Sequence, residues 1–192
     1  MTLAAKREGR FTYADYLGWA EDERWELIEG VAFDMTPAPT EQHQRILMNL
    51  AALLHRALEG GPCRVYPAPF DVRLAGSATT AEDEISTVVQ PDISVVCDPG
   101  KLDEAGCVGA PDLVVEILSP STAYKDQTEK LAAYEKHGVL EYWIINPDRG
   151  SVLVYCLEAG TYGKPTEYRS PEQLPASVLP AVKIPLLKVF EE

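Results

Sequence analysis

The sequence predicts a mixed α/β domain, with α and β segments combined on one mixed sheet flanked by helices. Three observations predict it. Apolar residues recur at helical spacing over Ile46, Leu47, Leu50, Leu53, Leu54, Ala57 and Leu58. The run Asp112-Leu-Val-Val-Glu-Ile-Leu118 has the shortness and apolar content of a central strand covered on both faces. The segments follow in the order helix, hairpin, helix, several strands, helix, strand, strand, with no internal repeat.

Each element has a local reason. Thr12-Tyr-Ala-Asp15 has the form of a capping box with a short acid, so a short helix is expected there, carrying Tyr13, Tyr16, Leu17 and Trp19-Ala20. Trp25-Glu-Leu-Ile-Glu29, Gly30 and Val31-Ala-Phe33 read as a hairpin. Thr36-Pro-Ala-Pro-Thr40 reads as a turn ending in an N-cap. The helix it opens carries Glu41 and His43 in its first turn and stops at Gly60-Gly61-Pro62. Cys63-Arg-Val-Tyr66 and Phe70-Asp-Val-Arg-Leu74 are strand material, but Pro67 and Pro69 argue against a regular central strand.

Ala75 to Thr87 and Asp98 to Ala110 read as loops on either side of the strand Asp92-Ile-Ser-Val-Val-Cys97. After Asp112–Leu118, Ser119-Pro120 breaks the strand. A helix is expected from Thr122 to His137, stopped by Gly138. Glu141-Tyr-Trp-Ile-Ile-Asn146, the turn Asn146-Pro-Asp-Arg-Gly150 and Ser151-Val-Leu-Val-Tyr-Cys-Leu157 form a second hairpin. The tail, broken by Pro171, Pro175, Pro180 and Pro185, is expected to pack along an edge. Residues 1–192 thus read as one domain, with a core at about 40–157 and an extension at 158–192 that packs on it.

Composition narrows the function classes. Hydrophobic residues make up 46% of the 192, and charged residues 24%, as in folded globular proteins rather than disordered ones. No apolar stretch reaches the ~20 residues of a membrane-spanning helix, and the polar start Met1 to Arg10 has no secretory core segment. Cys63, Cys97, Cys107 and Cys156 form no C-x-x-C pair. Cys97 and Cys156 sit in strand-like apolar runs and read as small buried hydrophobes rather than disulfide or zinc cysteines. A reducing, cytoplasmic location is the expectation. With 17 Lys+Arg against 30 Asp+Glu the net charge is −13, which excludes coating of nucleic acid or anionic membrane by bulk charge. It leaves open a local basic groove or a metal ion that supplies positive charge.

Three residues stand out chemically. Glu116 interrupts the most apolar run of the chain, sharing a strand face with Val114 and Leu118. A carboxylate there needs a cation, either a buried ion-pair partner or a metal. Asp92 opens the strand after Pro91, and if the two strands pair, the carboxylates approach each other. Close oxygen anions are the donor set of a hard divalent cation such as magnesium. Lys130 lies four residues after Asp126 on the next helix, either as a solvent ion pair or as a cation reaching the strand ends. Glu26 and Glu29, around Leu27 and Ile28, read either as a solvated face or as a further approach to the metal.

Pro91-Asp92 followed 24 residues later by Glu116-Ile117-Leu118 resembles the PD-(D/E)XK nuclease superfamily. Several segments occur in the right order: Trp25-Glu-Leu-Ile-Glu-Gly30, His43, Val89-Gln-Pro-Asp-Ile-Ser-Val-Val96 and Ala110-Pro-Asp-Leu-Val-Val-Glu-Ile-Leu-Ser-Pro-Ser-Thr122. Asp126 with Lys130, Tyr134 and Gly138-Val-Leu-Glu-Tyr-Trp-Ile-Ile-Asn-Pro147 follow them. Together these resemble, from Phe11 to Tyr155, the bacterial Uma-type group of restriction endonucleases, long labelled a domain of unknown function. The second Pro-Asp pair, Pro111-Asp112, stands too close to Glu116 for the pattern.

The resemblance implies a restriction-endonuclease-like core with an added N-terminal helix and hairpin, and a magnesium- or manganese-dependent endonuclease acting on DNA as a homodimer. Asp92 and Glu116 would hold the metal with the Ile117 carbonyl, and His43 would assist. The sequence departs from the motif at Leu118, where the superfamily has lysine, and Lys130 is the candidate for a lysine migrated to the next helix. A non-catalytic interaction or regulatory module on the same fold is the alternative. A purely structural Glu116–Lys130 ion pair would predict a closed site without a pocket.

Overall fold

The computed structural model describes residues 6–7, 9–19, 24–35, 38–77, 79–179 and 181–191. The expected polar start before Lys6, Ala20, the Thr36-Pro37 part of the turn and Pro180 lie outside the described residues.

β1 (Lys6–Arg7) and the single-turn α1 (Tyr13–Tyr16) precede a hairpin of β2 (Trp25–Ile28) and β3 (Val31–Asp34). The hairpin loop is Glu29-Gly30, with φ of 51° and 80°, the two positive values a tight type I′ turn requires. α2 (Glu41–Ala57) begins at Thr40, whose hydroxyl accepts a hydrogen bond from the His43 amide at 3.2 Å. Then come β4 (Arg64–Pro67), β5 (Val72–Arg73), β6 (Val88–Val89) and β7 (Ile93–Val96). β8 (Leu102–Asp103), β9 (Gly106–Val108) and β10 (Leu113–Ile117) follow.

The expected Thr122–His137 helix is three pieces: α3 (Ala123–Lys125), a π turn over Asp126–Lys130, and α4 (Leu131–His137), closed by Gly138. The remaining elements are β11 (Glu141–Asn146), β12 (Ser151–Glu158), β13 (Thr161–Tyr162), β14 (Thr166–Arg169), β15 (Gln173–Pro175), β16 (Lys183–Pro185) and α5 (Leu186–Val189).

The single sheet expected from the sequence is instead two. One runs β1-β3-β2-β6-β5-β9-β8; the other runs β13-β12-β11-β10-β7-β4, with β14 also on β12. A separate ribbon pairs β15 with β16. The two sheets share one long bent hairpin. Its outer half is β4 against β7 in the second sheet, and its inner half is β5 against β6 in the first. The bends fall at Pro67 to Asp71 and at Gln90 to Asp92, where Pro67, Pro69 and Pro91 cannot donate to a ladder, so each strand leaves one sheet for the other. The Ala68 amide donates to the Asp92 carbonyl at 3.0 Å and keeps the two bends together. Asp92 therefore sits at the corner between the sheets.

The expected loop from Asp98 to Ala110 also folds further than the sequence suggested, as the short hairpin β8–β9 on the edge of the first sheet. Gly106 makes it possible. At φ 128° it lies so close to Asp71 that a Cβ would stand 2.2 Å from the Asp71 carbonyl oxygen. Cys97 is a second correction. It is disulfide-bonded to Cys63, its partner just beyond the Arg64–Val96 register pair, while Cys107 and Cys156 are free. Cysteine usage thus no longer argues for a reducing compartment. Among the described residues no helix is long and apolar enough to cross a membrane.

Strand alternation divides the core. Leu113, Val115 and Ile117 of β10 pack with Ile46, Leu50 and Leu54 of α2. Val114 faces the other way, with Ala133 and Tyr134 of α4 and Ile28, Phe33, Val72 and Val89 of the first sheet. Glu116 shares the Val114 face, so its carboxylate points into the space between the two sheets.

The tail does more than line an edge. β14 extends the second sheet, but Leu174, Leu179, Val182, Ile184, Leu186 and Val189 are buried in the α2 core. The buried Glu141 ties the tail down. It accepts from Trp143 Nε1 at 2.7 Å and from the Val178 amide at 2.9 Å. Glu141→Ala leaves both donors unpaired, so urea denaturation is expected to show a loss of about 2–4 kcal/mol. Amide exchange should accelerate first in residues 173–189.

Candidate active site between the sheets

Asp92, Glu116, Ile117, Lys130 and His43 come together on the wall of one cleft of about 590 Å³. Asp92 Oδ2 accepts from the Ile117 amide at 2.7 Å and lies 3.2 Å from His43 Nε2. β7 and β10 are antiparallel neighbours, with Ile93 opposite Val115, and this register carries Asp92 to the end of β10. Glu116 Oε1 accepts from Lys130 Nζ and from the Tyr134 hydroxyl, both at 2.7 Å. Lys130 Nζ also lies 2.7 Å from Glu26 Oε1 and 3.9 Å from Asp126 Oδ1. The Lys130–Glu116 pair thus forms, but on the wall of a cleft rather than in a closed core.

Three members of the cluster, Glu26, Lys125 and Asp126, are outside the site set expected from the sequence, where Glu26 stands only as either a solvated face or a further approach to the metal. Glu26, on β2, is fully buried rather than on a solvated face, and its Oε2 receives Lys125 Nζ at 2.5 Å. Asp126 appears in the sequence only as the helical neighbour of Lys130, yet it is 1% exposed and lines the cleft. Glu29 belongs to the surface, where it pairs with Lys136 and His137. Asp112, in the Pro-Asp pair set aside above, serves the fold: its carboxylate accepts from the Cys97 amide at 2.8 Å.

Four carboxyl groups (Glu26, Asp92, Glu116 and Asp126) thus face two ammonium groups (Lys125 and Lys130) around the cleft. Burial works against the Glu26 carboxylate, but Lys130 and Lys125 outweigh it and hold its pKa at about 2. Burial alone would also lower Lys130; Glu116, Glu26 and Asp126 carry it well above its ordinary value instead. Glu116 is pushed up by burial and by Asp126, Asp92 and Glu26, more than Lys130 offsets. Asp126 rises to about 6, chiefly from burial. For His43 burial is opposed by the hydrogen bond and charge of Asp92, which leave it above its ordinary value. His43 Nδ1 and Asp126 Oδ1 are buried without a hydrogen-bond partner among the described residues. The cluster has more negative than positive groups, and the raised Glu116 and Asp126 are its physical signature.

Lys130→Met removes the cation that Glu116 and Glu26 share. The loss of stability expected near neutral pH is about 3–5 kcal/mol, because a buried pair is broken. Its pH dependence follows from the protons. In the variant the folded chain keeps a proton on Glu116 where the unfolded chain, at the ordinary value of 4.5, has lost it. The folded state then binds more protons, so stability falls as pH rises and recovers as pH is lowered towards 4.5. Denaturation curves across that range check both parts.

Residues 13–187 match the Uma2 family model, described as "Putative restriction endonuclease". An uncharacterised protein of Synechocystis sp. is 28% identical over 133 residues, a match that spans 68% of this chain and 65% of that protein's length. The crystal structure of a "putative nuclease belonging to DUF820" from Anabaena variabilis has the same fold, with a TM-score of 0.74 at 21% identity, over 94% of this chain and 97% of that one. Matched by the family model over nearly all of its length, the chain belongs to the Uma2 family.

Proposed function

We propose that the protein is a metal-dependent endonuclease that hydrolyses DNA phosphodiester bonds in the cleft between its two sheets. The observation that carries this reading is the meeting of Asp92 and Glu116, from neighbouring strands, with Lys130 and His43 on one cleft wall. Family membership supports it.

The donor set fits magnesium or manganese. The hydrogen bonds engage Glu116 Oε1 and Asp92 Oδ2, which leaves Glu116 Oε2 and Asp92 Oδ1 as carboxylate donors, to which the Ile117 carbonyl would add a third oxygen. Hard oxygen ligands from few side chains, completed by water, are the magnesium pattern. The surplus of carboxyl groups over ammonium groups is the second point of fit. A bound divalent cation lowers the pKa of its water and offsets charge developing on phosphate.

The chain's own residues do the rest. Lys130 takes the place of the lysine missing at Leu118: it fixes the Glu116 carboxylate and keeps a full positive charge at the strand ends. Tyr134 holds the same Glu116 oxygen from the next turn of the helix. The Ile117 amide and His43 orient Asp92, and His43 can carry a proton at near-neutral pH. With a net charge of −13, affinity for DNA must come from local groups, and a homodimer would present two such clefts to one duplex.

One observation favours the non-catalytic module on the same fold. Among the described residues no group of three or more His, Cys, Asp or Glu side chains could hold a metal ion. Cleavage decides between the two. Wild-type protein is expected to cut circular plasmid or single-stranded DNA with Mg²⁺ or Mn²⁺ and not in chelator. Asp92→Ala and Glu116→Ala should each lower the rate by about 10²-fold or more, as for loss of a group that stabilises the transition state. Wild-type protein without activity, or variants as active as wild type, would put the binding module first.

A further inference from the structure

We propose that Lys125, outside the motif pattern, is the cation that receives the substrate phosphate, while Lys130 stays within the protein's own carboxylate cluster. The proposal rests on the nuclease reading above and adds to it the group that contacts the substrate backbone.

An ammonium group has three N–H donors. Lys130 Nζ meets three carboxyl groups: Glu26 at 2.7 Å, Glu116 at 2.7 Å and Asp126 at 3.9 Å. Its side chain is 4% exposed. Two carboxylates lie within hydrogen-bond reach of it, and it has little surface on which to meet a ligand. Lys125 Nζ has one carboxylate partner, Glu26 Oε2, and a side chain 10% exposed on the cleft wall. It also lies over the Phe33 ring at 5.9 Å, which holds it without using a hydrogen-bond direction. Of the two lysines, Lys125 has more N–H groups left for an anion and more surface on which to meet it.

The π turn explains why two lysines five apart share one carboxylate. In an α-helix residues i and i+5 are separated by roughly 140° around the axis and cannot both reach one group. The π turn Asp126–Lys130 closes its hydrogen bonds over five residues and brings Lys125 round to the side of Lys130. Glu26 then divides its oxygens between them. Fully buried and held at about 2, that carboxylate stays ionised and keeps Lys125 in place without blocking its remaining donors. In a cleft with four carboxyl groups, Lys125 is the ammonium with more spare donors and more surface for a phosphodiester.

The test uses the full-length protein and a short fluorescein-labelled duplex, with Ca²⁺ in place of Mg²⁺ so that binding is read without cleavage. Lys125→Met is expected to weaken binding roughly 10- to 100-fold, the effect of losing one charge-assisted hydrogen bond. The slope of log K against log salt should fall by about 1. Under Mg²⁺ the KM should rise while kcat changes little. Lys125→Gln, which keeps a hydrogen bond to Glu26 without the charge, is the second variant and should show the same loss of slope should Lys125→Met not fold. Lys125→Arg should restore most of the affinity, and Lys188→Met, at an exposed position on α5, should behave as wild type. A folded Lys125→Met or Lys125→Gln protein with unchanged affinity and slope overturns the proposal, as does an equal loss in Lys188→Met. Wild-type protein that binds no duplex overturns the nuclease reading and this proposal together.

Discussion

The Lys130 ammonium joins the two halves of the molecule. Glu26 belongs to the first sheet and Glu116 to the second, and both reach Lys130 Nζ at 2.7 Å. Each carboxylate lies on a strand that is otherwise apolar and buried, so neither tolerates ionisation alone. The shared cation lets two inward-facing strands carry acids at the corner where the sheets meet. The rest of the site depends on that corner: the bend at Pro91 places Asp92 there, the end of β10 offers the Ile117 amide to it, and the first turn of α2 brings His43 against it.

Electrostatics and covalent topology serve the same arrangement. Prolines at both bends free the strands from one ladder so that they can enter the other. The Ala68–Asp92 backbone hydrogen bond clamps the bends, and the Cys63–Cys97 bond fastens the outer end of the same hairpin. The outer surface is strongly acidic, yet the cleft holds its two lysines among its four carboxyl groups.

How much of this is legible in the sequence depends on how local the signal is. Glu116 is legible because a single carboxylate in an apolar strand has no inexpensive explanation. Asp92 follows from its place after Pro91, and the helices and hairpins follow from periodicity, Thr40, Gly30 and Gly138. Glu26 is not legible, because a strand carrying an acid at an alternate position looks the same whether that face meets water or a second sheet. The division into two sheets is hidden for a related reason: a bent hairpin and two separate hairpins have the same apolar runs. Lys125 is missed because α-helical spacing sets it on a different face from Lys130, and nothing in Lys-Asp-Gln-Thr-Glu-Lys announces a π turn. The Cys63–Cys97 contact depends on strand register across a 34-residue separation, which spacing alone does not give.

The bent hairpin also constrains the order of folding. Because β4 and β7 belong to one sheet and β5 and β6, on the same two strands, to the other, neither sheet can be finished while the hairpin is unformed. Both must then assemble around it from segments distant in sequence, which makes the search slow compared with a helical protein of this length. The carboxylates of the cleft are drawn from β2, from the second bend, from β10 and from the π turn, so they meet only after both sheets have closed. A chain still emerging or partly folded therefore holds its acids and lysines far apart, and whatever chemistry the cleft performs is withheld until the fold is complete.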